Sequence, residues 1–230
     1  AHMADEDNMR QAFLMGKDLH TYTASLVFDK PEEKVTKEER QIAKTVSFLI
    51  VYGGGAFNLS ETLNIPKKKA EKIIAQYAKV YPGIFKYMGN VNASIIEDGY
   101  ITTLFGRRRN LPDVDSPIYK IKNRALRQGL NFTVQSAASD VLVCAVLGIV
   151  NTLKTRNLSA EFKATVHDSL EFISPKEETQ EVCSIIKDEM VNCNYMKNIL
   201  GIQLSVPLAI DLEVGSSFGN GEPYEISATN

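Results

Sequence analysis

Residues 40–55, RQIAKTVSFLIVYGGG, decide how this sequence is interpreted. Within them, Arg40, Lys44, Phe48 and Tyr52 recur at intervals of four. Each step of four advances only ~40° around a helix, so the four side chains share one face. Cations at one end of such a face can hold phosphates, and aromatic rings at the other can contact a sugar and a base. An ordinary amphipathic helix with solvated cations and buried rings has the same spacing, so the spacing alone leaves both interpretations open.

The sequence also predicts where this helix begins and ends. Thr36 followed three residues later by Glu39 is a capping-box pattern that begins a helix, and the glycines at 53–55 end it. Upstream, apolar residues at helical spacing predict two short helices within 7–28. The charged residues 29–37 form a connector between those helices and the capped one.

Downstream, the periodicity is helical at first and then changes to two. Further helices are predicted over 66–80, 84–98, 118–154 and 176–199. Strands are predicted over 162–166, 170–173 and 204–214, with a short hairpin or basic loop over 100–112. Helices followed by an antiparallel sheet with helices indicate the α+β class.

The composition excludes few functions. With 44% hydrophobic and 23% charged residues the chain is typical of a globular protein, and its net charge of −2 gives no general attraction for nucleic acid. Local basic stripes remain compatible with that total. Three scattered cysteines predict neither a disulfide framework nor a zinc site and suit a reducing cytoplasm. No apolar run has the length of a membrane span, so we expect a cytoplasmic protein without a membrane partner.

The pattern R-x-x-x-K-x-x-x-F-x-x-x-Y-G at residues 40–53 resembles motif B of family A DNA polymerases, the group that includes bacterial DNA polymerase I. Residues 56–88 also resemble the fingers of that family almost without gaps. The resemblance implies that the deoxynucleoside triphosphate (dNTP) is bound by this helix. Its implied contacts are Arg40 and Lys44 with the triphosphate, Phe48 with the deoxyribose and Tyr52 with the nascent base pair.

His20, in the sequence GKDLHTYTA, resembles a family histidine that contacts the triphosphate. A lone histidine in a helical pattern can instead be a structural residue. Lys44 is implied as a catalytic residue as well as a nucleotide ligand, and Phe rather than Tyr at position 48 implies discrimination against dideoxynucleotides.

The predicted hairpin places Val166-His167-Asp168 at a tight turn between apolar strands. Asp is a favoured turn residue, so a purely structural role stays open for the triplet by itself. In this context it resembles motif C of the same family. The resemblance implies that Asp168 is a catalytic ligand of Mg2+ and that His167 contacts the minor groove at the primer terminus. The family usually has Glu where this chain has Ser169, which puts a third carboxylate in doubt.

Polar side chains at spacings of three and four follow one face of the predicted helix at 118–140. Arg124, Arg127, Asn131 and Gln135 could donate to minor-groove acceptors, or they could form a solvated face. The pattern R-x-x-x-N-x-x-x-Q-S-A-A-S-D resembles the family segment that contacts the primer–template duplex. It implies DNA binding by Arg127, Asn131 and Gln135.

The segment TLFGRRRNLPD resembles the family block T-L-x-G-R-R-R-x-x-P-[DE]. Arg107 and Arg108 lie at its basic tip and are implied to contact DNA phosphates. A solvated turn is the alternative.

The family motif A, D-Y-S-x-I-E-x-R, which carries a second metal-binding aspartate, does not occur in the 230 residues. We expect that the chain begins just after motif A and that an N-terminal remainder of the polymerase supplies it, through an engineered truncation or a naturally split gene. A phage origin would fit an interrupted gene. A single carboxylate binds magnesium poorly, so we expect no primer extension by this polypeptide alone.

The resemblance implies an incomplete right-hand polymerase: a mainly helical fingers subdomain with an antiparallel β-sheet palm. The implied divisions are palm-edge helices at 1–29, fingers at 30–126 and the C-terminal palm with the motif C hairpin at 127–230. The implied function is DNA-directed DNA synthesis on primer–template DNA. A nucleotide- or duplex-binding fragment of a split polymerase, and a single-subunit RNA polymerase relative, remain alternatives.

Overall fold

The predicted capping box is formed at the start of the helix that carries Arg40. In the computed structural model, which describes residues 1–226, Glu39 N–H donates to the Thr36 hydroxyl (3.2 Å) and Thr36 N–H donates to the Glu39 carboxylate (2.9 Å). Lys30 adds an ion pair to the same carboxylate at 2.6 Å. These contacts satisfy backbone donors that the first turn of a helix leaves unpaired. The helix ends at Val51, and Gly53 follows it with φ of +74°.

Nine α-helices occur in residues 1–226. They are α1 Asp7–Leu14, α2 Leu19–Val27, α3 Lys37–Val51, α4 Ala56–Leu63, α5 Lys67–Val80, α6 Pro82–Asp98, α7 Tyr119–Thr155, α8 Thr179–Asn192 and α9 Asn194–Leu200. The strands of the same residues are β1 Tyr100–Thr102, β2 Arg108–Asn110, β3 Glu161–Val166, β4 Ser169–Ile173, β5 Glu213–Val214 and β6 Glu222–Pro223, paired as three separate antiparallel ladders. Short 3-10 turns lie at Glu32–Lys34, Pro112–Asp115 and Lys176–Glu178. The predicted α+β class is confirmed.

The first of two compact units is Ala1–Ala137. Helices α1 to α6 bury one apolar core, in which Leu59, Tyr77 and Tyr81 are fully buried. The two tyrosine rings meet edge to face at 5.0 Å, and the Tyr81 hydroxyl hydrogen-bonds to the Thr23 hydroxyl at 2.7 Å. A second cluster packs α6, the β1–β2 hairpin and the start of α7. Its buried members are Val91, Ile95, Ile101, Leu111, Val114, Ala125 and Leu130.

The second unit begins at Ala138 and contains the rest of α7, the β3–β4 hairpin, α8 and α9. Its core is formed by Ile149, Leu153, Ala160, Val182 and Ile185. In the hairpin, Val166 pairs with Ser169 across a two-residue turn, and His167 has φ of +57°. The rings of Phe162 and Phe172 pair across the strands at 5.5 Å.

Three elements differ from the sequence-based expectation. Helix α4 was not predicted. The helix expected over 176–199 is divided into α8 and α9, because Cys193 adopts a left-handed conformation with φ of +51°. The strand expected over 204–214 is wrong for most of its length, since only Glu213–Val214 has a strand partner among the described residues. From Val206 to Val214 the side chains do alternate between half-buried and exposed, as the sequence pattern predicts.

Helix α7 is one continuous helix of 37 residues, where the helical periodicity of 118–154 allows one long helix or two abutting ones. An 18-residue window within it has a mean hydropathy of 1.7, which by length and composition would suffice to cross a membrane. The expectation that no stretch of this kind exists is therefore wrong. About half of that window, 44%, is buried within the protein, and core helices meet the same criteria, so this is weak support for a membrane span. The finer divisions at 29/30 and 126/127 stay predictions.

The capping box predicts a measurable loss of stability on substitution. Thr36→Ala removes one side of it, and we expect the free energy of unfolding in urea to fall by about 1 kcal/mol. Thr45→Ala is the matched control, because Thr45 lies inside the same helix and its hydroxyl only bonds to the Gln41 carbonyl. Alanine is the better helix former there, so no loss is expected. Equal stability of the two variants would contradict the role of the cap.

Candidate functional site

The face of α3 that carries the predicted residues is turned outward. Phe48 and Tyr52 are 51% and 47% exposed, and Arg40 and Lys44 are half-buried. The opposite face supplies the residues that α3 buries, namely Ala43, Val46, Ser47 and Ile50. An amphipathic helix with buried aromatic rings was the alternative interpretation, and the exposure of both rings contradicts it. Two cations and two aromatic rings therefore lie side by side on a surface that a ligand can reach.

Arg40 is held by a residue that sequence reasoning did not select. Its Nε and Nη2 atoms donate to the two carboxylate oxygens of Asp18, at 2.9 and 2.8 Å. This fork contact is charge-assisted on both sides. The guanidinium, followed by the hydrogen bonds from Thr21, holds the pKa of the Asp18 carboxyl well below its usual range. The nearest signal in the sequence is the position of Asp18 two residues before His20.

Helix α2 brings His20 to the same face. The centroid of the His20 ring lies 6.0 Å from that of Phe48. Partial burial, and then the repulsion of Arg40 and Lys44, lower the pKa of His20 below its ordinary value, while Asp18 acts in the opposite direction. Its Nδ1 atom is buried and has no hydrogen-bond partner among residues 1–226. The structure thus brings His20 beside Phe48, and ligand binding by it stays a prediction.

At the C-terminal end of α3, the backbone is packed against α7. A Cβ atom on Gly53 would lie 2.6 Å from Cγ of Arg127, so the stem of Arg127 rests directly on this glycine. The positive φ of Gly53 also favours glycine, because other residues adopt that region with strain. The backbone that follows Tyr52 is thus in direct contact with the stem of the predicted DNA ligand Arg127.

The β1–β2 hairpin carries the predicted basic tip. Arg107 and Arg108 are both exposed. The guanidinium of Arg108 stacks over the ring of Tyr100 at 3.5 Å and donates from Nε to the Asn110 side chain at 3.1 Å. Stacking leaves the other guanidinium N–H groups free to meet phosphate oxygens.

The predicted duplex-contacting residues follow one face of α7. Arg127 and Gln135 are exposed, and Asn131 is half-buried with a buried Oδ1 that has no partner in the described part of the chain. Arg124, which shares this face, is paired with Asp113 at 3.0 Å. The geometry keeps all of these side chains on one surface, and DNA binding by them stays a prediction.

His167 and Asp168 form the tip of the β3–β4 hairpin in the second unit, and both are exposed. Ser169, which replaces the family glutamate, donates its hydroxyl to Glu171 at 3.0 Å. Sequence reasoning did not select Glu171, although it lies two residues along the same strand. No group of three or more His, Cys, Asp or Glu side chains in residues 1–226 is arranged to hold a metal ion. Asp168 is therefore not part of a three-residue metal cluster in the described residues, and magnesium binding by it stays a prediction.

Comparison with known proteins shows similarity over most of the chain. The profile of DNA polymerase family A matches residues 1–220. DNA polymerase I of Bacillus caldotenax is 36% identical over 218 residues, which cover 95% of this chain and 24% of that protein. DNA polymerase I of Treponema pallidum is 36% identical over 220 residues, covering 96% of this chain and 21% of that protein. The chain thus spans about a quarter of the length of the curated relatives it matches.

A solved structure is similar over most of the chain. The POL domain of Pol1 from M. smegmatis, in complex with DNA primer–template and dNTP, superposes with a TM-score of 0.81 at 31% identity, covering 91% of this chain and 35% of that one. The fold is therefore that of part of a nucleic-acid polymerase domain. More specifically, the chain belongs to DNA polymerase family A.

The electrostatics of His20 can be measured by an NMR titration. We expect its midpoint to lie below the ordinary value for histidine, and Lys44→Ala to raise it by removing a repelling cation. Because the folded-state pKa is lowered, the contribution of His20 to stability is complete above the ordinary pKa of histidine and is lost as the pH falls from there through the lowered folded-state pKa. Lys68→Ala, on the exposed side of α5, should leave the midpoint unchanged. An equal shift in both variants would contradict a local effect of Lys44.

Proposed function

We propose that this chain is the dNTP-binding and C-terminal part of a DNA-directed DNA polymerase, which transfers a nucleotidyl group from a dNTP to a primer 3′-OH. The observation that carries the proposal is the exposed α3 face, on which Arg40, Lys44, Phe48 and Tyr52 lie beside His20. The mycobacterial relative was solved with primer–template DNA and dNTP, which supports the same two ligands here.

The cationic end of the face is assigned to the triphosphate. Arg40 presents planar donors that match phosphate oxygens, and Lys44 supplies a compact positive charge. Fixed cations aimed at the phosphates also stabilise the charge that develops during transfer, which is why Lys44 is proposed as a catalytic residue. The neutral form of His20, favoured by its lowered pKa, leaves it able to donate or accept a hydrogen bond.

The aromatic end is assigned to the nucleoside. Phe48 offers a flat apolar surface for the deoxyribose, and Tyr52 ends α3 where a base pair can stack. The buried opposite face of α3 keeps both rings in place. This assignment needs no sequence-specific contact, as suits an enzyme that copies any template.

The primer–template is assigned to the basic hairpin and to α7. Arg107 and Arg108 would contact backbone phosphates, which carry no sequence information. Arg127, Asn131 and Gln135 would donate to the minor groove, whose acceptors are similar for all base pairs. His167 at the hairpin tip would contact the primer terminus. The proposed location is the cytoplasm.

Asp168 is proposed as one magnesium ligand. Magnesium supplies charge neutralisation at the reacting phosphate when it is bound. Since the described residues do not complete such a site, further carboxylates would come from a motif A segment outside these 230 residues.

A second candidate is a fragment that binds nucleotide or duplex without catalytic duty of its own. The incomplete metal site favours it for this polypeptide taken alone. Both candidates predict dNTP binding and no nucleotide transfer by the isolated chain. They differ in whether Asp168 and Lys44 take part in the reaction once a motif A segment is supplied.

One pair of measurements tests the proposal. Equilibrium binding of a labelled dNTP to the purified chain should be weakened about 10-fold by Lys44→Ala, since a charge-assisted contact is lost, and left unchanged by Lys68→Ala. A primer-extension assay on the same preparation should give no product. Robust magnesium-dependent extension would contradict the need for another segment, and unchanged dNTP affinity in the Lys44 variant would contradict the assignment of α3.

A further inference from the structure

The contact between Asp18 and Arg40 uses one particular edge of the guanidinium. Asp18 accepts from Nε and Nη2, so the donors of Nη1 and the second N–H of Nη2 are left for another acceptor. An arginine has two such edges, and each can bind a pair of oxygens. The carboxylate therefore occupies the edge along the side chain and leaves the terminal edge available.

Asp18 is itself held in place. It is the N-cap of α2, and its Oδ1 accepts from the backbone N–H of Thr21 at 2.8 Å and from the Thr21 hydroxyl at 2.6 Å. The carboxylate thus joins the first turn of α2 to the first turn of α3. The guanidinium plane of Arg40 is fixed by a group that does not move with its own helix.

Stability alone is a weak reason for this pair. The side chains of Arg40 and Asp18 are 42% and 47% exposed, and ion pairs of that exposure contribute little to stability. A long arginine side chain without a partner, however, samples many rotamers and pays an entropic cost to bind a phosphate. Holding it in advance reduces that cost.

We infer that Asp18 is a positioning residue for nucleotide binding: it fixes the guanidinium of Arg40 so that the terminal edge faces the triphosphate. The inference rests on the proposed function of the α3 face. A competing role is a counter-ion that the triphosphate must displace from Arg40. The two roles predict opposite changes in the contribution of Arg40 to dNTP affinity when the charge of Asp18 is removed. The contribution falls if Asp18 positions Arg40 and rises if Asp18 is a displaced counter-ion.

The test is a double-mutant cycle read through the binding of a labelled dNTP. Asp18→Asn is close in shape, removes the charge and keeps the N-cap, because Asn caps helices as well as Asp. In the otherwise unchanged chain, Arg40→Ala should weaken binding about 10-fold, and in the Asp18→Asn background it should weaken binding only about 3-fold. Any general repulsion between Asp18 and the phosphates acts on the chain with and without Arg40. It therefore largely cancels when the effect of Arg40→Ala is compared between the two backgrounds.

A larger or unchanged contribution of Arg40 in the Asp18→Asn background would overturn positioning, and a larger one would indicate the displaced counter-ion. If Arg40→Ala and Lys44→Ala both leave affinity unaltered, the proposed function fails and the inference fails with it. Glu38→Gln is the matched control, because Glu38 is an exposed carboxylate two residues before Arg40. It should not alter the contribution of Arg40.

A second variant covers the case in which Asp18→Asn folds poorly, which thermal unfolding would reveal. Arg40→Lys keeps the charge. A lysine ammonium, however, cannot donate two parallel hydrogen bonds to the Asp18 carboxylate and hold a second planar edge toward the triphosphate. It should lose most of the affinity that Arg40→Ala loses. Retention of full affinity by the lysine variant would overturn positioning, because charge alone would then suffice.

Discussion

Burial of one side of α3 in the core of α1 to α6 is the constraint on which the site depends. Ala43, Val46 and Ile50 pack inward, and a helix that buries these positions must turn Phe48 and Tyr52 outward. The apolar packing thereby accounts for the exposure of the face that is proposed to bind the nucleotide. Because α3 is anchored in this way, residues spaced by four along it form one face. Residues of α2, which are distant in sequence, then contact that face.

Much of the fold near this helix could be predicted because its signals are local. The capping box at Thr36 and the glycines after Tyr52 act on neighbouring residues, and both boundaries are confirmed. Helix α4 was missed because its N-cap is Gly55, which has no side chain to signal a helix start; the Asn58 side chain instead accepts from the Gly55 N–H at 3.4 Å. The expected strand at 204–214 failed for the opposite reason. Alternation predicts which faces are buried, but strand pairing depends on a distant partner.

The candidate site was predicted in part. Spacing identified the α3 residues, and the family resemblance added His20, which the structure brings to Phe48. Asp18 and Glu171 were not selected, because what distinguishes them is a contact rather than a pattern. Asp18 lies 22 residues before its partner Arg40 in the sequence. Glu171 is distinguished only by the hydrogen bond that it accepts from the Ser169 hydroxyl. Residues of this kind can be recognised only from the side-chain contacts in the three-dimensional structure.

The central claim is that the α3 face binds the incoming nucleotide, and photoaffinity labelling tests it most directly. A dNTP with a photoreactive base is cross-linked to the purified chain, and the labelled peptide is identified by mass spectrometry. The account predicts labelling within α3 or the glycines that follow it, suppressed by unlabelled dNTP and by Lys44→Ala. Labelling that is confined to other segments and insensitive to both treatments would contradict it.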